Sequence, residues 1–317
     1  MAFAIATLLV AATPLFAQSA GISPQWTVRR SAAADAWFHA LALLDVDAPG
    51  PLRFYSADYA ATERRAKRQH RGRPTLLDRT APAIRRAVLA DSAFEALHFL
   101  PLYVDADDPT ELIATVRSAA SGKPAPTGTG EFVTALRALF ATERQRATLS
   151  LLADAVEDEW RASLQQERAA RARADAATTA RLNAAWNARF APALSGFLQR
   201  TAMTRGEIWI VPSIGEEGRI TTTTVRGGRT IVVVGLNVGA PVPNAPLLAA
   251  VRELCFPVIT AESRDRGVTR SIADAARENS SAAAACGASL LDQAAPLLAR
   301  DFRTMYPTPG RRVARPY

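Results

Sequence analysis

Arg252 and Glu253 stand side by side in Arg252-Glu253-Leu254-Cys255-Phe256-Pro257, a short run inside an apolar segment of helical character. Positions 252 and 256 are one turn apart and share a helix face, the spacing at which two side chains can grip one ligand. Here they are arginine and phenylalanine. Arginine stays protonated at any working pH and offers no free lone pair, and phenylalanine has no donor atom, so this face should hold no catalytic metal. A carboxylate beside a guanidinium can form an ion pair. Cys255 is a candidate thiol nucleophile, but no histidine stands in a recognisable partner motif, so a structural role is favoured. It has one possible disulfide partner, Cys286. The alternatives are a bridge between them and two buried thiols. Ser213, in Pro212-Ser213-Ile214-Gly215, lacks the flanking glycines of a nucleophile elbow, and there is no phosphate-binding or dinucleotide fingerprint.

The elements that must position these residues come from a chain of 317 residues, 49% hydrophobic, enough for a sizeable core. Formal charge is +8. Such a balance raises nucleic acid and anionic membranes as partners. All basic residues but Lys67 and Lys123 are arginine, dispersed among acids along helices, which reads as a compositional bias and argues against nucleic-acid binding. The densest basic run is Arg64 to Arg73, read as a solvated helix end, with contact to an anionic surface as the alternative. Met1 to Ala20 is apolar and ends in small residues, as a secretory signal does, with cleavage near Ala17 or Ala20. A membrane anchor or a misplaced start is the alternative. The run is interrupted by Pro14 and falls short of the ~20 residues of a spanning helix, so export to a periplasmic or extracellular space is expected, without membrane attachment after cleavage.

Beyond the signal (1–20) the pattern predicts an N-terminal helical region (21–120), a linker (121–130), a second helical region (131–205), an α+β region (206–305) and a basic tail (306–317). Helix is expected over Ser31 to Leu44, where Trp37, Phe38, Leu41 and Leu44 form a stripe, and over Asp58 to Gln69. Two short helices should lie between Thr75 and Val104, with Pro82 at a helix start, and Pro109 should begin another capped by Asp108. The Ser121 to Gly130 linker is followed by helix from Glu131 to about Arg171 and from Leu182 to Gln199, with Pro192 as a kink. His39, beside the aromatic stripe, reads as a packed or a surface residue, and His98 as a core histidine.

The character changes at Glu207. Ile208 to Pro212 reads as a strand, and Arg219 to Val225 and Arg229 to Gly235 read as a hairpin around Gly227-Gly228. Leu247 to Thr260 should be helical, with Pro257 ending or kinking it, and a last helical stretch runs from about Ser280 to Phe302, interrupted near Pro296. The expected fold class is α+β, mostly helical, with a small sheet packed on the 247–260 helix.

This strand, hairpin and helix, with Arg252-Glu253-Leu254 and Pro257, resemble the HExxH zincins, in particular gluzincin-like metallopeptidases whose helix reads HEL-x-HP. Arg252 stands where the first zinc-binding histidine would be, Glu253 matches the base and Phe256 replaces the second histidine. The resemblance spans roughly Trp209 to Phe302. It implies that the third ligand, a glutamate on a following helix, corresponds to Glu278 better than to Glu262. With both histidines replaced, the expectation is an exported pseudopeptidase without metal or cofactor, with Arg252 supplying the positive charge opposite Glu253 or Glu278, and a peptide or protein bound along an edge strand. The alternatives are a chance match in an ordinary helix, a hydrolase with another site, and a helical surface-interaction protein.

Overall fold

The computed structural model describes residues 24–47, 53–69, 73–104, 106–223, 228–236, 240, 242–265 and 272–307; the side chains of 223, 260–265 and 272–278 are not among those described. The signal-like segment, His70 and the basic tail from 308 lie outside these residues, as does most of the hairpin turn.

Among the described residues four strands form one sheet: β1 (Gln25–Arg29), β2 (Arg205–Ile210), β3 (Arg219–Thr223) and β4 (Arg229–Val234), in the order β1-β2-β4-β3. The first three in that order run parallel, and β3 closes the sheet antiparallel to β4. The hairpin is therefore present, whereas β1 is a strand that the sequence reading missed. The apolar run of β4 follows from its place in the middle: Ile231 and Val233 face one core, Val232 and Val234 the other. A strand covered on both faces has no polar side to show. β2 alternates likewise, with Trp209 in the first core and Ile208 and Ile210 in the second.

Twelve α-helices among the described residues cover the two faces. The first core is built by α1 (Ala32–Leu44), α2 (Ala57–Gln69), α3 (Leu76–Leu89), a 3₁₀ turn (Ser92–His98), α4 (Leu100–Tyr103), α5 (Pro109–Ser121), α6 (Gly130–Leu139) and α7 (Glu143–Glu159). Residues on both sides of the 121–130 loop, such as Val116 and Val133, belong to this same core. Helix α3 starts at Leu76 because Thr75 and Asp78 make a reciprocal capping box, so Pro82 lies inside it and does not start it. The helix expected from Glu131 onward is broken after Leu139 and restarts at Glu143 with a second capping box, Thr142 with Gln145.

From Glu143 the helix continues to Arg200 as α7, α8 (Gln165–Ala185) and α9 (Ala191–Arg200), joined by π turns at Trp160–Leu164 and Trp186–Phe190. Each π turn inserts a residue and rotates the buried face. That lets α7 pack in the first core and α9 in the second, past the edge of the sheet. At that edge Val28 N donates to Asn183 Oδ1 at 2.9 Å, so β1 is covered by α8. The second core is completed by α10 (Ala245–Asp265), α11 (Ile272–Ala294) and α12 (Pro296–Met305). Pro257 does not end α10, which runs two turns beyond it, and α11 begins well before Ser280. The chain is thus a mostly helical α+β protein with α10 against β3 and β4.

Candidate functional site

Helix α10 buries Leu247, Leu248, Val251 and Leu254 against the sheet. The same burial carries Arg252 and Glu253 inside, at 1% and 2% exposure. Charged groups are almost never so buried without partners. Arg252 Nη1 donates to Glu253 Oε1 at 3.1 Å, and Nη2 donates to Ser280 Oγ on α11 at 2.6 Å. Its guanidinium lies 5.3 Å from the ring centres of both Phe256 and Tyr306, within cation–π range. Phe256 thus presents a π face to the cation from the next turn of α10.

The same Glu253 oxygen accepts the backbone N–H of Gly218, just before β3, at 3.1 Å. Only glycine permits this approach. A Cβ at 218 would come within 2.5 Å of Val233 O and 2.7 Å of Glu253 Cγ. Arg219 lies beside it, its guanidinium 4.0 Å from the Phe54 ring centre and hydrogen-bonded to Gly218 O. Burial pushes Glu253 up to about 7, against the pull of Arg252, Arg219 and the Gly218 amide. Burial likewise pushes Tyr306 up to about 12, opposed by Arg252. Cys255 and Cys286, left open between bridge and free thiols by the sequence, are joined by a disulfide that ties α10 to α11 next to this cluster.

The structure therefore brings Arg252, Glu253, Phe256 and Cys255 together, with Cys286 across the bridge. Helix α11 carries Glu278 and α10 carries Glu262, but both side chains lie outside those described. Zinc does not fit the residues present: the 252 position is filled by a guanidinium already engaged on two sides, and the 256 position by a ring. Sequence reasoning missed Gly218, Ser280 and Tyr306, whose types are common and whose separation from α10 hides them.

The histidines have other partners. His39 bonds Tyr59 OH through Nδ1 at 2.8 Å and Glu159 Oε1 through Nε2 at 3.3 Å. Burial alone would raise Glu159, but His39, Lys67 and Thr75 hold it down at about 2. His98 accepts or donates at Nδ1 with Tyr55 OH at 2.8 Å, and burial pushes it down to about 4. Lys67, within the basic run, is thus part of a buried network through its bond to Glu159 at 2.7 Å.

A pH prediction follows from Glu253. Its folded value, about 7, lies above its ordinary 4.5, so the folded state holds the proton more tightly than the unfolded state. That contribution is fully present below 4.5, declines up to about 7 and is lost above it, an effect on the order of 3 kcal/mol. His98 acts the other way in much of this window, since its lowered value costs stability as pH falls from 6.5 towards 4. The readout is therefore the difference between wild type and Glu253→Gln in urea unfolding from pH 4.5 to 8. Relative to the variant, the wild type should lose stability as pH rises.

Comparison with family models, with curated proteins and with solved structures returned no match.

Proposed function

We propose that the protein is an exported, non-catalytic peptidase-like protein that binds an extended peptide beside β3. The observation that carries this reading is the closed state of Glu253: the residue in the position of a general base is buried, paired with Arg252 and bonded to the Gly218 amide. A base must reach a water or substrate, and this carboxylate faces protein on both sides. Among the described residues strand β3 ends the sheet, so one row of its backbone groups faces away from β4 and offers the ladder that an added strand uses. Tyr103, 38% exposed, stands at that rim and is hydrogen-bonded to Thr221. Such a ring can cover a peptide side chain. The disulfide and the small-residue ending of the N-terminal apolar run support export. The resemblance to zincins contributes the order of strand, hairpin and helix, with the histidine positions rewritten.

The test uses a pool of fluorescent extended peptides. Binding by anisotropy without cleavage by mass spectrometry is expected. Peptides N-methylated at alternate residues should lose binding, and Tyr103→Ala should weaken it several-fold. Hydrolysis that disappears in Glu253→Gln would refute the non-catalytic reading.

A further inference from the structure

The formal charge of +8 is not spread over the chain. Residues 64–86 hold nine basic residues and one acid, Asp78, a net of +8, and the rest of the chain balances 29 basic residues against 29 acidic ones. The dispersal of arginine among acids therefore describes the other residues, and the stretch that runs from α2 through α3 stands outside it. Its inward charges have partners. Lys67 reaches Glu159 and Asp78, Arg64 donates to Leu43 O at 2.7 Å, and Arg85 donates to Asp45 O at 3.1 Å. These bonds fasten α2 and α3 to each other and to the carboxyl end of α1.

The outward charges differ. Arg65, Arg68, Arg73, Arg79 and Arg86 are exposed, and among the described residues none of them has a carboxylate within ion-pair distance. By contrast, Arg117, Arg161 and Arg171 each meet one. Arg65 and Arg68 are three apart on α2, and Arg79 and Arg86 seven apart on α3, so each pair shares a helix face. Like charges gathered on one unit repel, and an anionic partner relieves the repulsion. Guanidinium groups are forked donors that match phosphate oxygens. What accompanies the arginines selects among phosphates. Residues 64–86 include no Phe, Tyr or Trp on which the bases of a single-stranded nucleic acid could stack. They are followed instead by Leu89, 51% exposed and one turn beyond Arg85 on α3. Arginines beside an exposed leucine suit a membrane surface, where the leucine enters the headgroup layer and the guanidinium groups stay with the phosphates.

We propose that the outer faces of α2 and α3 are a docking surface for an anionic phospholipid membrane, with Arg65, Arg68, Arg79 and Arg86 on headgroup phosphates and Leu89 between the lipids. The surface and the β3 edge belong to separate elements, so membrane docking does not require the peptide.

The probe is a phosphatidylcholine vesicle with about 30% phosphatidylglycerol, sedimented with the full-length protein. Binding is expected at about 0.1 M salt, with a loss of at least tenfold at about 0.5 M and none of it on pure phosphatidylcholine. Each arginine at the surface is worth about fivefold in partitioning, so Arg68→Glu with Arg86→Glu should weaken binding at least twentyfold. Arg189→Glu with Arg200→Glu makes the same change of net charge at exposed positions on the side of the second core, and should weaken it less than about threefold. Should the first pair fail to fold, Arg68→Gln with Arg86→Gln should act in the same direction. Leu89→Ser should weaken vesicle binding at least about threefold. Absence of binding to the anionic vesicles, equal weakening by the two pairs, indifference to Leu89→Ser, or retention on heparin or duplex DNA with the vesicles ignored would each overturn the assignment.

Discussion

Replacing Arg252 by alanine is expected to destabilise the protein by about 3–5 kcal/mol at pH 8, the usual cost of removing one partner from a buried charge pair. Three losses act together. Glu253 keeps a buried negative charge with the Gly218 N–H and the pull of Arg219 left to offset it, Ser280 Oγ loses the Arg252 donor, and the space between Phe256 and Tyr306 empties. The first loss depends on pH. At pH 5 Glu253 carries its proton, since its value lies at about 7, and the penalty should shrink to the packing part. Arg252→Met, which restores much of the volume, should separate the two: close to wild type at pH 5 and well below it at pH 8. Adding Glu253→Gln to Arg252→Met should then recover stability at pH 8, because neither charge of this pair is left in the interior. A double-mutant cycle by urea unfolding measures the coupling. Equal penalties at both pH values would mean that Glu253 is not the charged partner.

Loss of the disulfide should have a similar size by a different route. Cys255 and Cys286 are separated by 31 residues, and opening a loop of that length costs about 3–4 kcal/mol in the chain-entropy model. The bridge stands next to Phe256 on α10 and joins it to the helix that carries Ser280. Cys255→Ala with Cys286→Ala should therefore lower the unfolding midpoint and weaken the coupling between Arg252 and Glu253, since α11 helps to hold Ser280 against the guanidinium. Reduction of the wild type should reproduce the stability loss. A double variant as stable as wild type would show that packing of α11 on α10 and α12 holds the helix without the bridge.

The parts of the fold that could be read from the sequence are those with strong local signals. Ile231 to Val234 is a short, wholly β-branched apolar run, as a strand covered on both faces is, and Gly227-Gly228 marks its hairpin partner. Strand β1 gave a signal too short to stand alone: Gln25 to Arg29 alternates polar and apolar residues over only five positions and pairs with β2, far along the chain. Prolines were weak guides to the boundaries. Pro82 looks like a helix start and Pro257 like an end or a kink, but the actual start of α3 is set by the Thr75 capping box, and α10 does not end at Pro257 but continues to Asp265.

The candidate site was legible in part where its members are neighbours in sequence. The sequence left the partner of Arg252 open between Glu253 and Glu278, since neighbours i and i+1 on a helix do not ordinarily face each other, and the chemistry of Arg252 and Phe256 excludes them as zinc ligands. Gly218, Ser280 and Tyr306 reach the pair only through the packing of β3, α11 and α12, and no local pattern marks them. The same holds for Glu159, an ordinary glutamate in a helix until α1, α2 and α3 place His39, Lys67 and Thr75 around it.

We propose that Arg252 stands where a metal would and keeps Glu253 out of catalysis. The most direct test is the zinc content of protein purified without chelators, by plasma mass spectrometry. Far less than one equivalent of zinc per chain is expected, unchanged in Glu253→Gln. One tightly held equivalent per chain, lost on substitution of Glu253, would contradict it.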